Sequence, residues 1–258
     1  MSVTSEDAAR AALRERQGPG ARYDSPHAPA HELLWARRGT AYFARKLGEL
    51  SDAELDEPSL LPGWSRRHIL AHVGYNARAL TRLLTWARTG AETPMYASAE
   101  QRQSEIHAGA TLPARALRSL VAHAAAHLDT EWRDLPDTSW DAEVRTALGR
   151  LVPVRETAWM RTREVWVHAL DLANGATTRE FPGDLLDELL ADVLRGWRRR
   201  QEPVHLVLAP TGRAPIVLGE GGTTVSGDLP DLVRWVTGRG TAGVVTESGE
   251  LPALPRWF

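Results

Sequence analysis

The chain is predicted to fold as a four-helix bundle followed by a small α+β domain. Two observations carry this. Four long segments place apolar residues at 3.6-residue spacing, and after about residue 200 the apolar period shortens to that of strands. The predicted boundaries are an N-terminal extension over residues 1–29, a bundle over 30–177 and the α+β domain over 178–258.

Residues 1–29 are polar and punctuated by Gly18, Gly20, Pro26 and Pro29, and read as a flexible extension. The first helix is expected from Ala30 to Glu49, with Leu33, Ala36, Thr40, Phe43 and Leu47 on one face. Ser65 is a suitable N-cap for a second helix running to Thr89, and Gly90 stops it. Its stripe is Ile69, Val73, Leu80 and Leu84, with His72 and Asn76 at the border and His68 further round. A polar helical piece spans Ser98 to His107. The third long helix starts near Pro113 and carries Leu117, Leu120, Val121, Ala124, Leu128 and Trp132. The fourth is expected from Pro153 to Ala173, before Asn174-Gly175. Beyond it come a helix over Asp184–Arg200, strands over 204–208, 216–218 and 223–226, a short helix over 230–237 and a last strand at 244–246.

Composition narrows the function. The 258 residues carry a net charge of -2, which offers no electrostatic footprint for nucleic acid or an anionic membrane. No apolar run approaches the roughly 20 residues of a membrane span. The charged first residues lack the apolar core of a secretory signal, so a cytoplasmic location is expected. There is no cysteine, so a metal site must draw on His, Asp and Glu, and thiol chemistry must borrow its thiol. Lys46 is the only lysine; the other basic residues are arginines.

Glu164 and His168 lie one turn apart on a face that also carries Met160, Val167 and Leu172. A buried carboxylate and imidazole need partners. An ordinary hydrogen bond or an exposed face would satisfy them; a metal ion would too. Three helical pairs compete as ligands: His68/His72, His123/His127 and Glu164/His168. The helical wheel favours His72, Glu164 and His168, the members nearest the core. Two imidazoles and one carboxylate suit zinc with open coordination positions, and also iron(II) or nickel.

The segment Leu61–Ala77 (LPGWSRRHILAHVGYNA) resembles the second helix of the mycothiol-dependent maleylpyruvate isomerase family, which belongs to the DinB-like metal-binding bundles. Trp86–Gly90, Pro94-Met95-Tyr96, Arg102 and, most strongly, Arg163–Leu172 (REVWVHALDL) extend the likeness, and Leu229–Arg239 continues it into the C-terminal domain. The resemblance implies His72, Glu164 and His168 as zinc ligands. It also implies a mycothiol-dependent cis–trans isomerase that converts maleylpyruvate to fumarylpyruvate in gentisate breakdown. The thiol would add to the conjugated enone, the bond would rotate, and the thiol would leave; the open zinc position suits its sulfur. Arg102 and Arg239 become candidates to hold the dicarboxylate, although most arginines are surface charges. Asn76 becomes a candidate cofactor contact, or else a satisfied polar group. Asp171 could orient His168 or simply cap the helix, and the tryptophans read as packing. The expected partners are a dicarboxylate and a small thiol, without nucleic acid or membrane, in a monomer or small homo-oligomer. Transfer of the thiol to another electrophile, and a non-catalytic metal-binding module, are the competing readings.

Overall fold

The computed structural model describes residues 23–257; the predicted extension therefore lies, for residues 1–22, outside the described residues. Residues 23–29 are tied down, because both oxygens of Asp24 accept from the guanidinium of Arg37 at 2.5 and 2.6 Å. Among the described residues the chain forms an N-terminal helical bundle and a C-terminal α+β region.

Four long helices build the bundle: α1 (Ala30–Gly48), α2 (Arg66–Thr89), α4 (Ala114–Asp134) and α5 (Glu156–Asp171), with the shorter α3 (Ala99–Ala110) beside α2. Each start and stop has a local cause. The Ser65 hydroxyl caps α2, and His68 completes the box by accepting from the Ser65 N–H at 3.2 Å. Gly90 ends α2 in the left-handed region at φ 73°, where a side chain would be strained. Ser98 caps α3 by accepting from Gln101 N–H at 3.1 Å.

α1 runs alongside α5, with Thr162 bonded to Glu32 O and the Trp166 indole N–H bonded to Trp35 O. α2 runs alongside α4: Arg67 reaches Leu112 and Arg88 reaches Glu131. α2 and α5 run in opposite directions, since Arg66 meets Leu172 while Asn76 meets Arg161. That opposition brings the middle of α2 against the ligand-bearing face of α5.

One stretch differs from expectation. Helix α5 begins three residues later than predicted, because Leu151–Pro153 is a strand, β2, paired antiparallel with β1 (Glu143–Arg145). The hairpin turns Val144 and Val152 into the bundle core beside Trp140. Each strand has only three residues, too few for an alternating pattern to stand out.

The C-terminal region contains α6 (Gly183–Arg199), β3 (Leu206–Pro210), β4 (Ile216–Leu218), β5 (Thr223–Gly227), α7 (Leu229–Val236) and β6 (Val244–Val245). The sheet order is β4-β3-β5-β6; β3 and β5 are parallel and the outer pairs antiparallel. Its core is continuous with that of the bundle, through Trp159, Trp166, Phe181 and Trp197. No helix among the described residues is long and apolar enough to cross a membrane.

Helix α1 approaches α5 closely because Gly39 has no side chain. A Cβ there would sit 2.5 Å from Val165 Cγ2 and from the Trp166 indole nitrogen, which is fixed by its bond to Trp35. Gly39→Ala should therefore destabilise the fold by about 1–3 kcal/mol, the usual range for overpacking. Scanning calorimetry would read this as a melting point several degrees lower; an unchanged transition would contradict the packing described.

Candidate metal centre

α2 and α5 place His72, Glu164 and His168 together between them. One ligand atom from each lies within 4.8 Å of the others, and no other such group of three or more His, Asp or Glu occurs among the described residues. His72 Nε2 is 2.7 Å from Glu164 Oε2, and His168 Nε2 is 3.2 Å from the same oxygen. The two imidazoles stand nearly perpendicular, at 87°, with centroids 4.7 Å apart. The indole of Trp64 lies edge-on to His72 at 5.7 Å and closes one side.

The donor set fits a tetrahedral zinc ion. Bonds of about 2.0–2.1 Å place neighbouring donors about 3.3 Å apart. The His168–Glu164 spacing already matches this, and the His72–Glu164 spacing needs a shift of only about 0.6 Å, within side-chain adjustment. Three protein ligands leave at least one position for something else.

Electrostatics favour the same use. Burial lowers the His72 pKa, outweighing the upward pull of Glu164, so the ring is neutral and offers a lone pair. Burial alone would raise the Glu164 pKa; the charges and hydrogen bonds of His72 and His168 outweigh it and hold the carboxyl well below its usual range. His168 behaves otherwise. Burial lowers its pKa, but its hydrogen bonds to the carboxylates of Asp171 and Glu164, and their charges, more than offset this, and the pKa rises.

Asp171 lies behind His168, 2.8 Å from its Nδ1, and is fully buried. A carboxylate in that position fixes the ring's tautomer and orientation for a metal on Nε2. Asp171 is held in turn by Arg239 from the C-terminal region, with bonds of 3.1 and 2.9 Å to its two oxygens. Burial would raise the Asp171 pKa, but His168 and Arg239 bring it down to about 2.

The other candidates fall as follows. Arg102 on α3 approaches from the partly exposed side, with Nη2 3.3 Å from His72 Nδ1 and its guanidinium 5.9 Å from the Tyr96 ring. Arg239, the other candidate for the dicarboxylate, has its fork engaged on Asp171, and its third contact is to Thr237 O. The buried Asn76 uses its amide oxygen to accept from Arg161 at 3.1 Å. His68 caps α2 and contacts His107, while His123 and His127 are exposed on α4. None of these three histidines joins the cluster. Arg161 escaped the sequence reading, and Tyr96 entered it only through the family likeness. Tyr96 packs beside Arg102, and burial raises its phenol pKa to about 12. Arg161 is buried three residues before Glu164; that i, i+3 spacing was the available signal.

Residues 36–173 match the family model for the mycothiol maleylpyruvate isomerase N-terminal domain, and residues 180–256 match that of the C-terminal domain of the same family. Two crystal structures superpose on the chain, one of the mycothiol-dependent maleylpyruvate isomerase and one of a histidine-to-alanine mutant of that enzyme. Each is 44% identical with a TM-score of 0.84, over 88% of this chain and 96% of the other. No match exists among curated protein sequences.

His72→Ala and Glu164→Gln should each abolish stoichiometric zinc uptake without loss of helix content. Metal analysis together with circular dichroism checks this, and a variant that retains full metal would remove its residue from the ligand set. Asp171→Asn should weaken zinc binding about 10–100-fold. The same variant has a pH signature. His168 keeps its proton to higher pH than a free imidazole, so zinc affinity should fall as pH drops and that proton competes. Without the Asp171 charge the His168 pKa falls, and the onset of competition should move to lower pH; a fixed or upward shift in metal titrations would contradict this.

Proposed function

The chain belongs to the mycothiol-dependent maleylpyruvate isomerase family, and on that premise we propose that it catalyses the cis–trans isomerisation of maleylpyruvate to fumarylpyruvate at a zinc centre held by His72, Glu164 and His168. The observation that carries the reading is the cluster of three donors, one buried and two half-buried, which would leave a bound metal with open positions, in a chain that has no cysteine of its own.

Rotation about a carbon–carbon double bond requires that its double character be lost for a moment. When bound, mycothiol supplies the nucleophile that adds to and leaves the conjugated enone, and zinc favours the ionised form of a thiol and polarises a substrate oxygen.

The protein's own residues prepare for this. His72 stays neutral through burial and Glu164 stays ionised between two imidazoles, so both are ready as ligands near neutral pH. Asp171 holds His168 in one orientation, and Arg239 keeps Asp171 ionised and in place. In this reading Arg239 is a positioning residue, acting through Asp171 and His168. Arg102 donates to His72 Nδ1, which leaves the ring proton on Nε2 facing Glu164. With Nε2 given to a metal, the ring hydrogen belongs on Nδ1. Arg102 then has no acceptor there, and its fork is available to a substrate carboxylate. A small thiol that must stay reduced suits a cytoplasmic setting.

Purified protein loaded with zinc should isomerise maleylpyruvate only when mycothiol is added, and chelation should stop turnover. Turnover without the thiol, or none with both present, would refute the proposal. Arg239→Ala should retain zinc yet lose at least about tenfold in kcat, equivalent to about 1.4 kcal/mol. Steady-state kinetics on metal-replete protein checks this, and unchanged kinetics would exclude the positioning role.

A further inference from the structure

Arg161 is the most deeply buried arginine among the described residues, at 1% exposure. Other arginines buried in this part of the fold are neutralised. Arg66 pairs with Glu57, Arg163 with Asp192 and Arg239 with Asp171. Arg161 has no carboxylate within 4.0 Å among the described residues. Its Nη1 donates to two neutral acceptors on α2, Val73 O at 2.7 Å and Asn76 Oδ1 at 3.1 Å. Its Nε has no partner at all. A buried guanidinium left this way is costly unless an anion arrives.

The position of the group says where that anion comes from. Arg161, Glu164 and His168 share one face of α5, at spacings of three and four residues. Asn76 follows His72 by one turn of α2. Glu164 and Tyr96 are the titratable groups near enough to influence Arg161. Glu164 is already committed to His72 and His168 at 2.7 and 3.2 Å, so it does not serve as the missing counter-ion. Val73 and Asn76 fix the plane of the fork from one side and leave its Nε and Nη2 donors unused. Two adjacent guanidinium donors in one plane match the two oxygens of a carboxylate.

We propose that Arg161, held by Val73 and Asn76, receives one carboxylate of the substrate inside the site and thereby selects for dicarboxylates. The inference rests on the isomerase reading above for the identity of the substrate. Arg102, which reaches His72 Nδ1 from α3, suits the second carboxylate. Asn76 then acts through Arg161.

The test uses full-length, zinc-loaded protein and maleate, a cis dicarboxylate with no keto group, as the calorimetric probe. Wild type should bind maleate, and Arg161→Met should weaken binding at least thirtyfold while keeping its zinc and a melting temperature no lower than wild type. A purely structural role predicts the reverse, a lower melting temperature with maleate affinity intact. Maleate binding by Arg161→Met within threefold of wild type, or none by wild type, would overturn the proposal. If the methionine variant does not fold, Arg161→Lys decides. The retained charge without the fork should raise KM for maleylpyruvate at least tenfold with kcat largely kept, and an unchanged KM would overturn the proposal. Failure of the isomerase reading looks different, because wild type would then lack turnover whatever its affinity for maleate.

Discussion

The carboxylate of Glu164 is the constraint on which the site depends. A charge buried between helices is tolerated only when its surroundings answer it. Here the answer is two imidazoles from two helices, His72 of α2 and His168 of α5, both directed at one oxygen. The antiparallel course of α2 and α5 follows the same requirement, because it brings position 72 opposite positions 164 and 168. From His168 the chain of support continues to Asp171 and then to Arg239. The C-terminal region is thus coupled to the cluster by a charged hydrogen-bond relay as well as by a shared apolar core.

Much of this was legible in the sequence. The stripes of α1, α2 and α4 had the helical period and, apart from the half-buried Thr40, are buried as read, with Leu117, Leu120, Val121, Ala124, Leu128 and Trp132 all in the core. Ser65 and Gly90 announced the ends of α2 through their cap chemistry. Glu164 and His168 were visible because polar residues at i, i+4 interrupt an apolar face. Choosing His72 over His68 needed the wheel and the family likeness together. The structure gives His68 a different task, capping its own helix.

What remained hidden was either short or long in range. The β1–β2 hairpin offers three residues per strand, and its exposed Leu151 breaks any alternating pattern. α5 is buried on nearly every side, between α1, α2 and the C-terminal region, so a single apolar stripe understates it; Arg161 lies on the part that the stripe left out. The pairing of Arg239 with Asp171 spans 68 residues, and no local pattern reports it. The net charge of -2 gave no hint of which charges meet at the site, where Arg102 approaches His72 and Arg239 answers Asp171 beside the ionised Glu164. Average charge describes the surface, whereas the reacting groups respond to the few charges within a Debye length of about 8–10 Å.

The most direct measurement is X-ray absorption at the zinc edge on metal-loaded protein, compared with His168→Ala. Two histidine nitrogens and one carboxylate oxygen from the protein are expected in the first coordination sphere of the wild type, with one histidine contribution missing in the variant. A wild-type spectrum without histidine scattering, or one unchanged by the substitution, would contradict the cluster as the metal centre.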